Sequence, residues 1–201
     1  MKKLHRLDLY GWSTFDEARD IDFHSVLWVR DGGNVLFDPL PLSDHDAEHL
    51  DRLGGASLIV ITNSDHVRAA AAIAERTGAR VAGPRAERES FPVKCALWLG
   101  EGDAPVPGLA VFELSGSKTP GELAFVIDET TLVTGDLVRA HDAGRLTLLP
   151  EQKLADPERA RESVRRLSQQ GPFDAVLVGD GWPVFRDGSG VLGELVAAFG
   201  G

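Results

Sequence analysis

The stretch from Leu58 to Arg68, LIVITNSDHVR, constrains this chain more than any other. Four apolar residues, mostly β-branched, stop abruptly at Thr62-Asn63-Ser64-Asp65-His66. A helical pattern then runs from Val67 to Thr77. A buried strand that ends in a polar elbow before a helix is where α/β proteins gather chemistry. Asp65 and His66 bring a carboxylate and an imidazole to that point, both ligands for a borderline metal. Three later elbows are also polar: Gly116-Ser117-Lys118-Thr119-Pro120-Gly121, Thr134-Gly135-Asp136 and Gly179-Asp180-Gly181. Convergence of the four on one site is the central expectation.

The rest of the chain supplies the frame for such a site. Residues 3–10 alternate polar and apolar like an edge strand, and Gly11 to Asp20 reads as a polar loop. Phe23 to Arg30 and Val35 to Asp38 are strands joined by the turn Asp31-Gly32-Gly33-Asn34. Ser43 caps a helix through Leu53 that Gly54-Gly55 ends. Arg80 to Ala82 is a short strand, and residues 84–108 are mostly loop. Leu109 to Leu114, Leu123 to Ile127 and Thr131 to Thr134 read as strands. Asp156-Pro157-Glu158 starts a helix to about Gln169. Ala175 to Val178 is the last strand, and Gly190 to Phe199 a closing helix. This order predicts two sheets with helices outside.

Composition excludes some partners. The 201 residues carry a formal charge of −10, which disfavours nucleic acid and anionic membrane, since both demand a basic face. No apolar run approaches a membrane span of roughly 20 residues, and the N-terminus lacks the apolar core of a signal peptide. Cys95 is the only cysteine, so neither an intrachain disulfide nor a thiolate zinc site is available. A cytoplasmic protein acting on a small molecule is the expectation, with a homodimer as the commonest quaternary state.

Taken together, the elbows resemble the metallo-β-lactamase superfamily, in order and over nearly the whole chain. Leu36-Phe37-Asp38-Pro39 is similar to that family's early strand and its Asp. Thr62 to His66 falls where the family carries a Thr followed by His-x-His-x-Asp-His. Thr119-Pro120-Gly121 is similar to Gly-His-Thr-Pro-Gly, Thr134-Gly135-Asp136 to the bridging-Asp motif, and Gly179-Asp180-Gly181 to Gly-His-Gly. The resemblance implies a single domain over residues 1–201, an α/β (α+β) fold built as a four-layer αββα sandwich, and metal-dependent hydrolysis.

The departures bear on function. Counting back from Asp65, the two leading histidine positions hold Ile61 and Asn63; with a shortened elbow, Asn63 takes the first. Lys118 stands before Thr119 where the family has a histidine, and Asp180 replaces the last one. The three-histidine site is therefore lost. Asp65, His66, Asp136 and Asp180 are the remaining expected ligands, for at most one divalent metal (Zn, Mn or Fe). Lys118 is expected to substitute for the first cation, and with Asp65 to carry catalysis on an ester, thioester, lactone or phosphoester. The alternative is a metal-free network in an inactive member that serves as a binding module.

The blander readings are a helix cap for Asp65, a solvated loop lysine for Lys118 and a turn residue for Asp180. Arg139, Arg186 and Trp182 follow two of the elbows and are expected substrate contacts. Asn63, Ser64 and Ser117 are expected to line the site. His24, His45, His49 and His141 read as surface or structural residues.

Overall fold

In the computed structural model, which describes residues 1–200, the first half of the chain builds one sheet almost in sequence order. Its strands are β1 (Lys2–Lys3), β2 (Leu9–Asp16), β3 (Ile21–Trp28), β4 (Val35–Phe37), β5 (Leu58–Val60), β6 (Arg80–Pro84) and β7 (Leu97–Leu99). The first four are antiparallel neighbours, and from β4 onward the pairs are parallel. That switch follows from the connections. Helices α1 (Asp44–Arg52) and α2 (Ala70–Thr77) carry the chain back after β4 and β5, as parallel pairing requires. Ser43 accepts the Asp46 N–H at the start of α1, and Gly78, at φ +75°, ends α2 in the left-handed conformation.

The second sheet has the order β13-β10-β9-β8, formed by β8 (Leu109–Glu113), β9 (Leu123–Ile127), β10 (Thr131–Thr134) and β13 (Ala175–Val178). A small ribbon, β11 (Val138–Arg139) with β12 (Thr147–Leu148), stands beside it. Helix α3 (Pro157–Ser168) is capped by Asp156 with proline in its first turn, and α4 (Gly188–Ala197) closes the chain.

Three apolar clusters define the layers. Val35, Phe37, Leu58 and Val60 of the first sheet interleave with Val111, Phe125, Val133 and Leu177 of the second. Leu36, Ile59 and Ile61 face the opposite way, towards Leu50 of α1 and Ile73 of α2. Ala124, Leu132 and Val176 pack under Val164 of α3 and Leu192 of α4. The alternation of neighbours along β4 and β5 between two apolar surroundings is the signature of a sheet covered on both faces. The expected αββα sandwich is the observed fold.

Four local expectations are corrected. Gly11 to Asp16 is strand, not loop, because all eight residues of β2 pair with β3. The polar side chains face solvent where the hairpin extends past the sheet. The strand expected over residues 3–10 is broken, leaving only Lys2–Lys3 before a turn. β7 lies within the 84–108 stretch expected to be mostly loop. The helix expected from Val67 starts at Ala70, because Arg68 takes φ +42°, a costly conformation for a residue with a side chain.

The inter-sheet contact is testable at Phe37 and Phe125, whose rings meet edge to face with centroids 5.6 Å apart. Phe37→Ala is expected to lower unfolding free energy by about 3–5 kcal/mol in urea denaturation. Combined with Phe125→Ala, the two losses should fall short of additivity by about 0.5–1.5 kcal/mol.

Candidate functional site

The site forms where parallel strands of both sheets end. β4 leads into Asp38, β5 into Thr62 to His66, β10 into Asp136, and β13 into Asp180. Lys118 arrives on the connection between β8 and β9. The two sheets are tied at this end by main-chain bonds from the His24 N–H to the Gly179 carbonyl (2.9 Å) and from the Gly181 N–H to the Asp22 carbonyl (2.8 Å). Gly135 and Gly179 allow the close approach. A Cβ on Gly179 would lie 2.7 Å from His66 Cε1, and one on Gly135 2.6 Å from Thr62 Oγ1.

His66 is the hub. It is buried, and its Nδ1 is 2.8 Å from Asp38 Oδ2. Asp38 also accepts from the Thr62 N–H (2.7 Å) and hydroxyl (2.6 Å), so its carboxylate is fixed by three groups. His66 Nε2 faces Asp136 Oδ2 at 3.5 Å and Asp180 Oδ1 at 3.8 Å. Burial works against a charged imidazole, but Asp38 and the hydrogen bond with Asp136 outweigh it and push its pKa up to about 10. Asp136 is held below the usual carboxylate range despite burial, because His66 and Lys118 both stabilise its anion.

Lys118 Nζ lies 2.7 Å from Asp65 Oδ2 and 3.0 Å from Asp136 Oδ2. Burial opposes its charge, but bonding to these two carboxylates raises its pKa above the ordinary lysine value. Asn63 Nδ2 donates to the same Asp136 oxygen (3.0 Å), while its Oδ1 caps the 3-10 turn Ser64–His66 by accepting the Asp65 N–H. The cap expected of Asp65 thus comes from Asn63, and the half-exposed Asp65 carboxylate turns to Lys118. The Ser64 N–H is held by buried Glu87 (3.0 Å).

Of the four expected ligands, three converge. One atom each from His66, Asp136 and Asp180 lies within 4.8 Å of the others; Asp65 stands outside this group. Asp180 Oδ1 is buried and has no hydrogen-bond partner among the described residues. An orphaned carboxylate oxygen facing an imidazole nitrogen and a second carboxylate fits one divalent cation. The position that Ile61, Asn63 and Lys118 would have to serve does not fit a metal. Ile61 is sealed in the core under the helices, and Lys118 brings its own positive charge.

Arg139 is buried and donates to Asp180 Oδ2 (2.6 Å), while Trp182, 57% exposed, and Arg186 do not line this cleft. Arg186 belongs to a second depression beside Lys2, Lys3 and Phe185. The cleft over His66 has a volume of about 820 Å³.

Two residues that hold the site were not expected from the sequence. Arg68 donates to the carbonyls of His24 (2.6 Å), Asp38 (3.0 Å) and Gly179 (3.2 Å), joining three segments behind the site. The positive φ of Arg68 accompanies this inward turn. Glu122 is fully buried and accepts from the Ser117 hydroxyl and from the Leu137 N–H (2.8 Å). It therefore joins the Lys118 loop to the Asp136 elbow, and Ser117 serves as its donor. The signal for Glu122 was a carboxylate set directly before the wholly apolar strand Leu123–Ile127.

Comparison with known proteins identifies the family. The sequence profile described as "Metallo-beta-lactamase superfamily" matches residues 1–199. The chain belongs to this superfamily. It is similar to a hydroxyacylglutathione hydrolase from Cereibacter sphaeroides, with 36% identity over 124 residues, 60% of this chain and 45% of that one. The chain thus spans under half the length of that curated relative. Among solved structures it is similar to the DIM-1 metallo-β-lactamase, with a TM-score of 0.75 and 16% identity over 98% of this chain and 96% of that one. The FIM-1 metallo-β-lactamase of Pseudomonas aeruginosa, solved in a mono-zinc form, superposes with a TM-score of 0.73 and 12% identity over 95% and 91% of the chains. At these identities the structures establish the superfamily fold alone. No helix among the described residues is long and apolar enough to cross a membrane.

Glu122 gives the site a pH signature. Burial, then the nearby Asp136 charge, lifts its pKa from 4.5 to about 7. A raised carboxyl favours the fold while protonated, so that contribution is complete below about pH 4.5 and is lost as pH rises through about 7. Glu122→Gln keeps an acceptor for Leu137 and a partner for Ser117. In urea denaturation with EDTA present, its stability relative to the parent should rise between pH 4.5 and 7, by on the order of 3 kcal/mol.

Proposed function

We propose that this chain is a hydrolase of small esters or thioesters that works with a single divalent cation held by His66, Asp136 and Asp180. The observation that carries this reading is the buried Asp180 Oδ1, which accepts no hydrogen bond and faces the other two donors. One imidazole and two carboxylates form a hard donor set suited to Zn, Mn or Fe(II). When bound, such an ion supplies Lewis acidity that lowers the pKa of a coordinated water and polarises a carbonyl.

The chain's own residues supply the remaining roles. Asp38 orients His66 through Nδ1, and Arg68 and Arg139 fix the flanks of the Asp180 elbow. Asp65 is half exposed to the cleft and held by Lys118, which places a carboxylate where it takes a proton from an attacking water. As the water oxygen bonds to the carbonyl carbon, the Lys118 ammonium stabilises the oxyanion. Collapse of that adduct breaks the bond to the leaving alcohol or thiol, which recovers the proton from Asp65. The curated relative is named for a thioester-cleaving hydrolase, and this favours esters and thioesters over lactones and phosphoesters.

Elemental mass spectrometry of untagged protein tests the cation. About one equivalent of Zn, Mn or Fe is expected, lost in Asp136→Ala together with thioesterase activity. Unchanged metal content in that variant would sink the assignment.

A second reading, the metal-free network, is favoured by one specific observation. Lys118, Arg139, Arg68 and the charged His66 already surround Asp136 and Asp180. On that reading the protein binds a ligand without hydrolysing it, and no metal is found. Under either reading Lys118→Met strips Asp136 and Asp65 of their shared cation. The variant is expected to lose on the order of 1–3 kcal/mol of stability in EDTA, read as a lower urea midpoint.

A further inference from the structure

The two arginines expected to meet the substrate are not available to it: Arg139 is committed to Asp180, and Arg186 lies outside the cleft. Arg68, which does line the cleft, is committed to three carbonyls. Two other cations occupy the cleft. Arg19 stands on the hairpin between β2 and β3, and Lys153 on the 3-10 turn Glu151–Lys153 before α3. Lys153 makes no ion pair among the described residues. Arg19 meets only Asp16, with Nε at 3.7 Å, so its guanidinium hydrogen-bonds no carboxylate among the described residues. Its guanidinium carbon lies 5.9 Å from the centre of the Phe23 ring, which faces the same cleft.

The cleft thus differs from the surface around it. The chain carries a formal charge of −10, yet five Lys and Arg residues line the cleft against three carboxylates, before His66 is counted. The three carboxylates are matched by Lys118, Arg68 and Arg139. Arg19 and Lys153 are the surplus. The acidic neighbours of Arg19 on the hairpin, Asp16, Glu17, Asp20 and Asp22, do not line the cleft. Ile21, Phe23, Leu40 and Leu149 line the same cleft and give it an apolar wall.

We infer that Arg19 and Lys153 form an anion subsite, and that the substrate is an ester or thioester whose apolar arm ends in a carboxylate. This rests on the hydrolase reading for the ester, but not for the anion. A fixed positive subsite in a net-negative chain attracts anions selectively and gains most from a group it contacts directly.

Two aryl esters of one acyl chain test this: 4-nitrophenyl hydrogen adipate, ending in a carboxylate, and its methyl ester. The parent protein is expected to favour the first by about tenfold or more in kcat/KM, mostly through KM. In Arg19→Ala/Lys153→Ala that ratio should fall to within about twofold. A ratio near one in the parent, or one that survives in the double variant, overturns the subsite. If neither ester is cleaved, the hydrolase reading fails and the subsite is judged by binding alone. Nuclear magnetic resonance titration with adipate and with uncharged adipamide then decides. Adipate binding at least about fivefold tighter than adipamide, lost in the double variant, supports the subsite. Equal binding of the two, or adipate binding untouched by the variant, overturns it.

Discussion

Three carboxylates buried at the ends of strands β4, β10 and β13 govern this structure. Asp38, Asp136 and Asp180 are each at most 3% exposed. Carboxylates so deep must be neutralised or protonated, because desolvation and mutual repulsion both oppose their charge. Every unusual feature of the site is a response to that demand. His66 carries a proton between them, Lys118 leans on Asp136, and Arg139 fixes one oxygen of Asp180. Arg68 leaves helical geometry to reach three carbonyls and the edge of Asp180. Glu122, fully buried with no cation against it, is driven towards its neutral form.

In this arrangement the charge of the buried carboxylates is met by the chain itself, and Lys118 stands where the family resemblance implies a cation. A tethered ammonium is a conservative replacement in charge. It differs in chemistry, because it offers hydrogen bonds and no vacant coordination position. Lys118 can therefore stabilise negative charge on a substrate oxygen but cannot generate hydroxide. On the proposed reading, the water-activating ion is held by His66, Asp136 and Asp180.

The fold was legible because its apolar runs alternate between two buried environments. Leu36 and Phe37, or Ile59 and Val60, are adjacent in sequence and belong to different cores. The elbows were legible as polar stops after such runs, and in the structure Asp65, His66, Lys118, Asp136 and Asp180 line one cleft. What could not be read was direction. Nothing in the local sequence tells whether Asp65 caps a helix or faces Lys118, since Asn63 two residues earlier is an equally good cap. Arg139 reads as a substrate contact and Arg68 carries no signal in the sequence, and only long-range packing commits them to Asp180 and to carbonyls. Gly11 to Asp16 lacks an apolar pattern because its strand is held by ladder hydrogen bonds beyond the sheet's covered area, so periodicity had nothing to report.

The same balance of charge bears on how tightly a cation is held. An open cluster of three carboxylates would bind a divalent ion strongly but would be costly to bury unfilled. Here Lys118 and the arginines have already neutralised most of that charge, so less electrostatic energy remains for an incoming ion. The proton on His66 must also leave before its nitrogen can act as a ligand. Asp180 Oδ1 is then informative, because it is buried and none of the surrounding cations hydrogen-bonds it. It separates a pocket that still has room for an ion from a network closed entirely upon itself.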